Sequence, residues 1–227
     1  MTRALLLDMD DTLYDERSYV LSGFRAVAAA IHELYPHAEP DAVFAHLVEG
    51  LDVQGRGKLF DGALLQLRIE ATPELVQHLV GVYRDHTPEI ALWPGVAETL
   101  AELRRDWKLA IVTDGLHLMQ ARKAQALGLA DLVDTVLFCW EHDAPKPDPR
   151  GYREALKRLG AEPADAVVVG DNPLHDMAAA RAIGARSIRV RTGRFAAVDP
   201  PRFKADADAA TFTDVPDALA RLEGISR

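Results

Sequence analysis

The feature that most constrains this fold is a strand-like run, Leu5-Leu6-Leu7, with no strand-forming partner in the long segment that follows it. From about Val20 to Tyr83 the apolar residues recur at helical spacing instead, as in Val20, Phe24, Val27, Ile31 and Leu34, then Phe60, Leu64 and Leu67. Only from Trp93 onward do short β-type runs return, at Leu109–Val112, Thr135–Phe138, Ala166–Val169 and Ser187–Val190. Amphipathic helices are expected between them, near 95–105, 118–127, 150–159 and 176–183. Strands that alternate with helices specify a parallel sheet, and the isolated first strand must join it. The expected fold is therefore α/β, a doubly wound (Rossmann-like) parallel sheet core built from residues 1–14 and 93–227. Residues 15–92 form a small all-helical cap domain inserted after the first strand, with Pro88 and Pro94 at the return hinge. Gly128, Gly160 and Gly184 fall where left-handed helix ends are expected.

A chain of 227 residues can bury a core without covalent staples, and 48% apolar with 27% charged residues is ordinary for a globular protein. The formal charge of -9 argues against nonspecific nucleic-acid binding. Cys139, the sole cysteine, cannot form an internal disulfide, which suits a reducing compartment. Met1-Thr2-Arg3 and the short apolar run before Asp8 are too brief for a signal peptide, and no later run could span a bilayer. A cytoplasmic location is expected, with no membrane or nucleic-acid partner.

Polar residues gather at the strand ends, where open α/β sheets bind ligands. Asp8 and Asp10 follow the first strand; alternation along an extended chain would put them on one face, within reach of one metal or phosphoryl group. Thr113, before Asp114 and Gly115, ends the second strand and could offer a hydroxyl and nearby N–H groups to an anion, or cap the next helix. Lys146 stands between Pro145 and Pro147, whose fixed φ limits where the ammonium can point. Asp171 follows Gly170 at the end of the fourth strand, and Asp176 could converge with it on a hard cation or cap the following helix.

In this order the residues resemble the haloacid dehalogenase-like hydrolases, in particular their phosphatases. That family carries Asp-x-Asp-x-Thr on the first strand, Thr or Ser at the end of the second, a later Lys, and Gly-Asp-x-x-x-x-Asp near the end. Here these fall on Asp8, Asp10 and Thr12; Thr113; Lys146; and Asp171 with Asp176. The resemblance implies a phosphoric monoester phosphatase with Asp8 as nucleophile, an aspartyl-phosphate intermediate, and Asp10 as acid and base. It implies Mg²⁺ held by Asp8, the Asp10 backbone carbonyl and Asp171, with Asp176 direct or in the outer shell, and with Thr113 and Lys146 offsetting phosphate charge. Met9, Asp114 and Gly115 become candidates for substrate contact. Asp114 stands where many members have Asn, and Asp11 where Gly is frequent.

Within the cap, Gly55-Arg56-Gly57-Lys58 places two cations on a glycine-flanked loop, and Arg56 or Lys58 could read a second group on the substrate. Tyr14, Phe24 and Phe60 could line a pocket, although helical spacing assigns the two Phe to the cap's own core. The expected partner is a small phosphate ester such as a sugar phosphate or nucleoside monophosphate; oligomeric state is not readable. A haloacid dehalogenase does not need the acid at position 10. A phosphomutase uses the same residues, and a phosphonatase needs a cap lysine, for which Lys58 is the candidate. A phosphoacceptor signalling module combines similar residues in another order, and a non-catalytic sensor would have little reason to keep all four motifs.

Overall fold

Six short parallel strands form one sheet: β1 (Ala4–Leu7), β2 (Lys108–Thr113), β3 (Thr135–Phe138), β4 (Ala166–Gly170), β5 (Arg186–Val190) and β6 (Ala207–Ala209). Their order is β3-β2-β1-β4-β5-β6, so the strand isolated in sequence lies at the centre. Leu7 of β1 pairs with Ile111 on one side and Val169 on the other. All four residues of β1 are fully buried, as expected for a strand covered on both faces. The computed structural model describes residues 2–224, and residues 1 and 225–227 lie outside that description.

The chain divides into two units, Met1–Glu16 with Ala91–Arg227, and Arg17–Ile90. The second is helical: α1 (Glu16–Leu34), which starts at the boundary, then α2 (Pro40–Gln54), α3 (Leu59–Gln66) and α4 (Pro73–Asp85). Val20, Phe24, Val27 and Ile31 line one face of α1 and pack with Val43, Leu47, Leu64 and Leu79. Thr72 caps α4, its hydroxyl accepting from the Leu75 N–H.

In the α/β unit the remaining helices are α5 (Val96–Leu103), α6 (His117–Ala126), α7 (Leu129–Leu132), α8 (Arg150–Leu159), α9 (Ala178–Ile183) and α10 (Val215–Leu222). One face of the sheet, with Leu6, Val112, Leu137 and Val168, packs against Tyr152, Ala155 and Leu156 of α8 and Ala179, Ala180 and Ile183 of α9. The residues that alternate with them, Leu5, Leu7, Leu109, Ile111, Val167 and Val169, are fully buried too. Gly160 and Gly184 take left-handed backbone at the ends of α8 and α9, and Gly128 does so one residue past the cap of α6.

Three elements lie beyond the sequence reading: the single turn α7, then β6 and α10. β6 is Ala-Asp-Ala, too short and too small-chained to show a β pattern. The helix expected at 176–183 also differs at its start. A wide π turn, Pro173–Met177, precedes α9, and the capping side chain is Asn172, which accepts from the Leu174 N–H at 3.0 Å. Asp176 is not the cap. Among the described residues no helix is long and apolar enough to cross a membrane.

Candidate active site

The strand order reverses between β1 and β4, and at such a switch point the chain leaves a crevice at the C-terminal strand ends. Asp8 follows β1 there, its N–H donating to the Val169 carbonyl at 2.9 Å. Its Oδ1 accepts from Lys146 Nζ at 2.5 Å and its Oδ2 from Thr12 Oγ1 at 3.2 Å. Asp171 follows β4, and Asp176 lies in the π turn beyond it. Carboxylate oxygens of Asp8, Asp171 and Asp176 come within 4.8 Å of one another, all three residues being buried.

Local backbone explains the convergence. A Cβ on Gly170 would stand 2.3 Å from Asp176 Oδ2, so a residue without a side chain lets that carboxylate fold back on the strand end. Asp176 Oδ1 then accepts from Lys146 Nζ and from the Tyr152 hydroxyl, both at 2.8 Å, and Oδ2 from the Asn172 N–H at 3.1 Å. Lys146, 6% exposed, is thus no solvated surface lysine: it bridges two of the three carboxylates.

Three carboxylates share one ammonium, and the imbalance shows in their protonation. Burial, then the charges of Asp8 and Asp176, push Asp171 up to about 9. Burial pushes Asp8 up to about 7 against the opposing pull of Lys146. Lys146 is held well above the ordinary lysine range because Asp176 and Asp8 outweigh its desolvation. A buried group of hard oxygen donors with excess negative charge fits a divalent cation such as Mg²⁺, and it lacks the nitrogen or sulfur donors that a softer metal prefers.

The Asp10 carboxylate, near enough for its charge to act on Asp8, has hydrogen-bond partners of its own. β1 ends at Leu7, the Asp8 N–H still pairs with β4, the Met9 carbonyl accepts from the Thr12 and Leu13 N–H groups, and Asp11 has φ +56°. At the start of this turn the Asp10 carboxylate enters a second network. Oδ1 accepts from Lys123 Nζ at 2.8 Å and from the Tyr14 hydroxyl, and Oδ2 from Gln120 Nε2 at 2.8 Å. Burial would raise the pKa of Asp10, but the charge of Lys123 and the three hydrogen bonds hold it below the usual carboxylate value.

Thr113 joins this network rather than capping a helix: its Oγ1 accepts from Gln120 Nε2 at 2.6 Å, and Leu116 occupies the cap of α6. Asp114 follows at the strand end with a buried carboxylate oxygen, Oδ1, that has no hydrogen-bond partner, and Gly115 has φ +127°. The Met9 side chain is fully buried, leaving only its backbone for a ligand. Arg56 and Lys58 belong to the other unit, exposed on the connection between α2 and α3, as Phe24 and Phe60 belong to its core. Asp11 braces the turn. Its carboxylate accepts from the Glu16 and Arg194 N–H groups, and a Cβ on Gly193 would stand 2.2 Å from it.

Gln120 and Lys123 are the site groups that the motifs do not include, whereas Tyr14, a candidate pocket residue, meets Asp10 through its hydroxyl. α6 buries both, Gln120 and Lys123, at 3% exposure each, while leaving Leu118 at 63%, a partition that the sequence does not show.

The family model of haloacid dehalogenase-like hydrolases matches residues 2–184. The chain is 31% identical over 206 residues to a glyceraldehyde 3-phosphate phosphatase of Methanopyrus kandleri, covering 88% of each. It is 32% identical over 224 residues to a phosphoserine phosphatase of Thermus thermophilus, covering 84% of this chain and 89% of that one. A crystal structure of the 2-haloacid dehalogenase from Pseudomonas syringae pv. Tomato DC3000 matches it with a TM-score of 0.68 and 26% identity, over 98% of this chain and 100% of that one. The chain belongs to the haloacid dehalogenase-like hydrolases, as a phosphatase.

Proposed function

We propose that this phosphatase is Mg²⁺-dependent and works through an aspartyl-phosphate on Asp8. The observation that carries the reading is the division of labour at the end of β1. Asp8 is grouped with Lys146, Asp171 and Asp176, while Asp10, two residues on, is held in a separate hydrogen-bonded network. In this reading a carboxylate oxygen of Asp8 attacks phosphorus in line and the bond to the ester oxygen breaks. Asp10 protonates the departing oxygen, then takes a proton from the water that hydrolyses the intermediate. The network favours ionised Asp10, the form the second step needs; a phosphoryl dianion beside it favours the protonated form needed by the first. Thr113, the Asp114 N–H and Lys146 donate to the phosphoryl oxygens.

Asp8, Asp171 and the Asp10 carbonyl would hold Mg²⁺, with Asp176 direct or in the outer shell. When bound, it cancels the repulsion between anionic Asp8 and the phosphoryl group. The names of the relatives, a glyceraldehyde 3-phosphate phosphatase and a phosphoserine phosphatase, support a small phosphorylated metabolite as substrate, within a range that includes sugar phosphates and nucleoside monophosphates. The helical unit would act as a cap, with Arg56 and Lys58 as its substrate-reading candidates. A buried, unpaired Cys139 supports a cytoplasmic setting. Asp10 and its network speak against a dehalogenase, whose chemistry has no leaving oxygen to protonate.

A panel of phosphate monoesters, assayed with and without Mg²⁺, tests the reading. Turnover should require Mg²⁺, and Asp8→Asn should reduce it to background. Hydrolysis that survives in Asp8→Asn rules out the nucleophile; hydrolysis that survives in EDTA rules out the metal.

A further inference from the structure

We propose that Gln120 and Lys123 are positioning residues for Asp10, fixing its carboxylate in the orientation from which it reaches the leaving-group oxygen. This inference rests on the proposed acid and base role of Asp10. The two residues are three apart on α6 and so share one helix face. Each places a nitrogen 2.8 Å from a different oxygen of Asp10, Lys123 Nζ on Oδ1 and Gln120 Nε2 on Oδ2. A carboxylate held at both oxygens cannot rotate about its Cβ–Cγ bond without breaking one contact. Gln120 Nε2 also lies 2.6 Å from Thr113 Oγ1, which ties the acid to a proposed phosphate-binding hydroxyl.

The helix itself argues that stability alone did not choose these residues. Its buried face carries an amide and an ammonium while Leu118 faces solvent, the reverse of the usual partition. A buried ion pair is weak evidence for stability, because desolvation offsets its attraction. Their placement is what a site needs when the reacting group must be held in one geometry.

The test compares kcat/KM on p-nitrophenyl phosphate with kcat/KM on phenyl phosphate. The two are close in size, but the second leaves as a much poorer anion and depends more on protonation. Asp10→Asn serves as the reference. In Lys123→Met and Gln120→Leu the ratio of nitrophenyl to phenyl activity should rise by about 10-fold or more over wild type, toward the Asp10→Asn value. Lys123→Arg, which restores a charged donor, should bring the ratio part of the way back. Equal losses on both substrates in Lys123→Met and Gln120→Leu, with a raised ratio in Asp10→Asn, overturn the positioning role and leave the acid role standing. An unchanged ratio in Asp10→Asn removes the acid role and this inference together. Thermal melts identify any variant that fails to fold, in which case the remaining single variant decides.

Discussion

At Gly170 the absence of a side chain is what lets Asp176 turn back onto the end of β4. The Cβ of an alanine would meet a carboxylate already held by Lys146, Tyr152 and the Asn172 N–H, so little room exists for relief. Gly170→Ala should cost about 1–3 kcal/mol, as overpacking in a tight interior does, and should also weaken Mg²⁺ binding. Urea unfolding and a Mg²⁺ titration check both; an unchanged midpoint would mean that Asp176 has somewhere else to go. At this scale the motif residues were readable because each is a charged or hydroxylated side chain beside an apolar run. Gln120 and Lys123 were not, since polar residues on a helix are usually solvated and their partner, Asp10, lies far away in sequence. Nor could alternation name the partners of Asp10, because Gln120 and Lys123 reach it from α6, more than a hundred residues on.

The π turn at Pro173–Met177 shows how an element rather than a residue aims a ligand. A regular helix starting at Asp176 would have made its carboxylate a cap. The wider turn, begun by Asn172, leaves that carboxylate free to meet Lys146. Asn172→Ala removes the oxygen that accepts from the Leu174 N–H and should cost about 1 kcal/mol, the usual worth of such a cap. Because the turn aims Asp176, the variant should also need more Mg²⁺ for half-maximal activity; a stability loss without that shift would separate the cap from the site. The same element scale explains what could be read of the fold. β1 was assigned to the sheet by its isolation and apolarity, and β2 to β5 by alternation with helices. β6 and the π turn carry no such signature, the first for lack of bulky side chains and the second because its identity lies in backbone bonds.

For the whole molecule, the acidic cluster makes stability depend on both pH and metal. Asp8 and Asp171 hold their protons more tightly in the folded protein, at about 7 and about 9, than in the unfolded chain, near 3.8. Their contribution to stability is therefore fully present below about pH 4 and is lost as pH rises through those folded values. Asp10, whose pKa is lowered, contributes in the opposite sense: its share is present above about pH 4 and disappears in more acid solution. The metal-free protein should thus be most stable in the mildly acid range and weaken toward pH 9. Mg²⁺ binds the ionised carboxylates, so the Tm gain on adding it should grow steadily between about pH 5.5 and 8.5. At saturating metal the gain should reach about 5–10 °C for a chain of this size. Asp171→Asn should raise the Tm of the metal-free protein at about pH 8 and remove most of the Mg²⁺ response. Differential scanning fluorimetry in EDTA and in Mg²⁺ across that range makes the comparison. A gain that does not vary with pH would show that the three carboxylates do not give up protons to the metal, and that the cation stabilises the protein elsewhere.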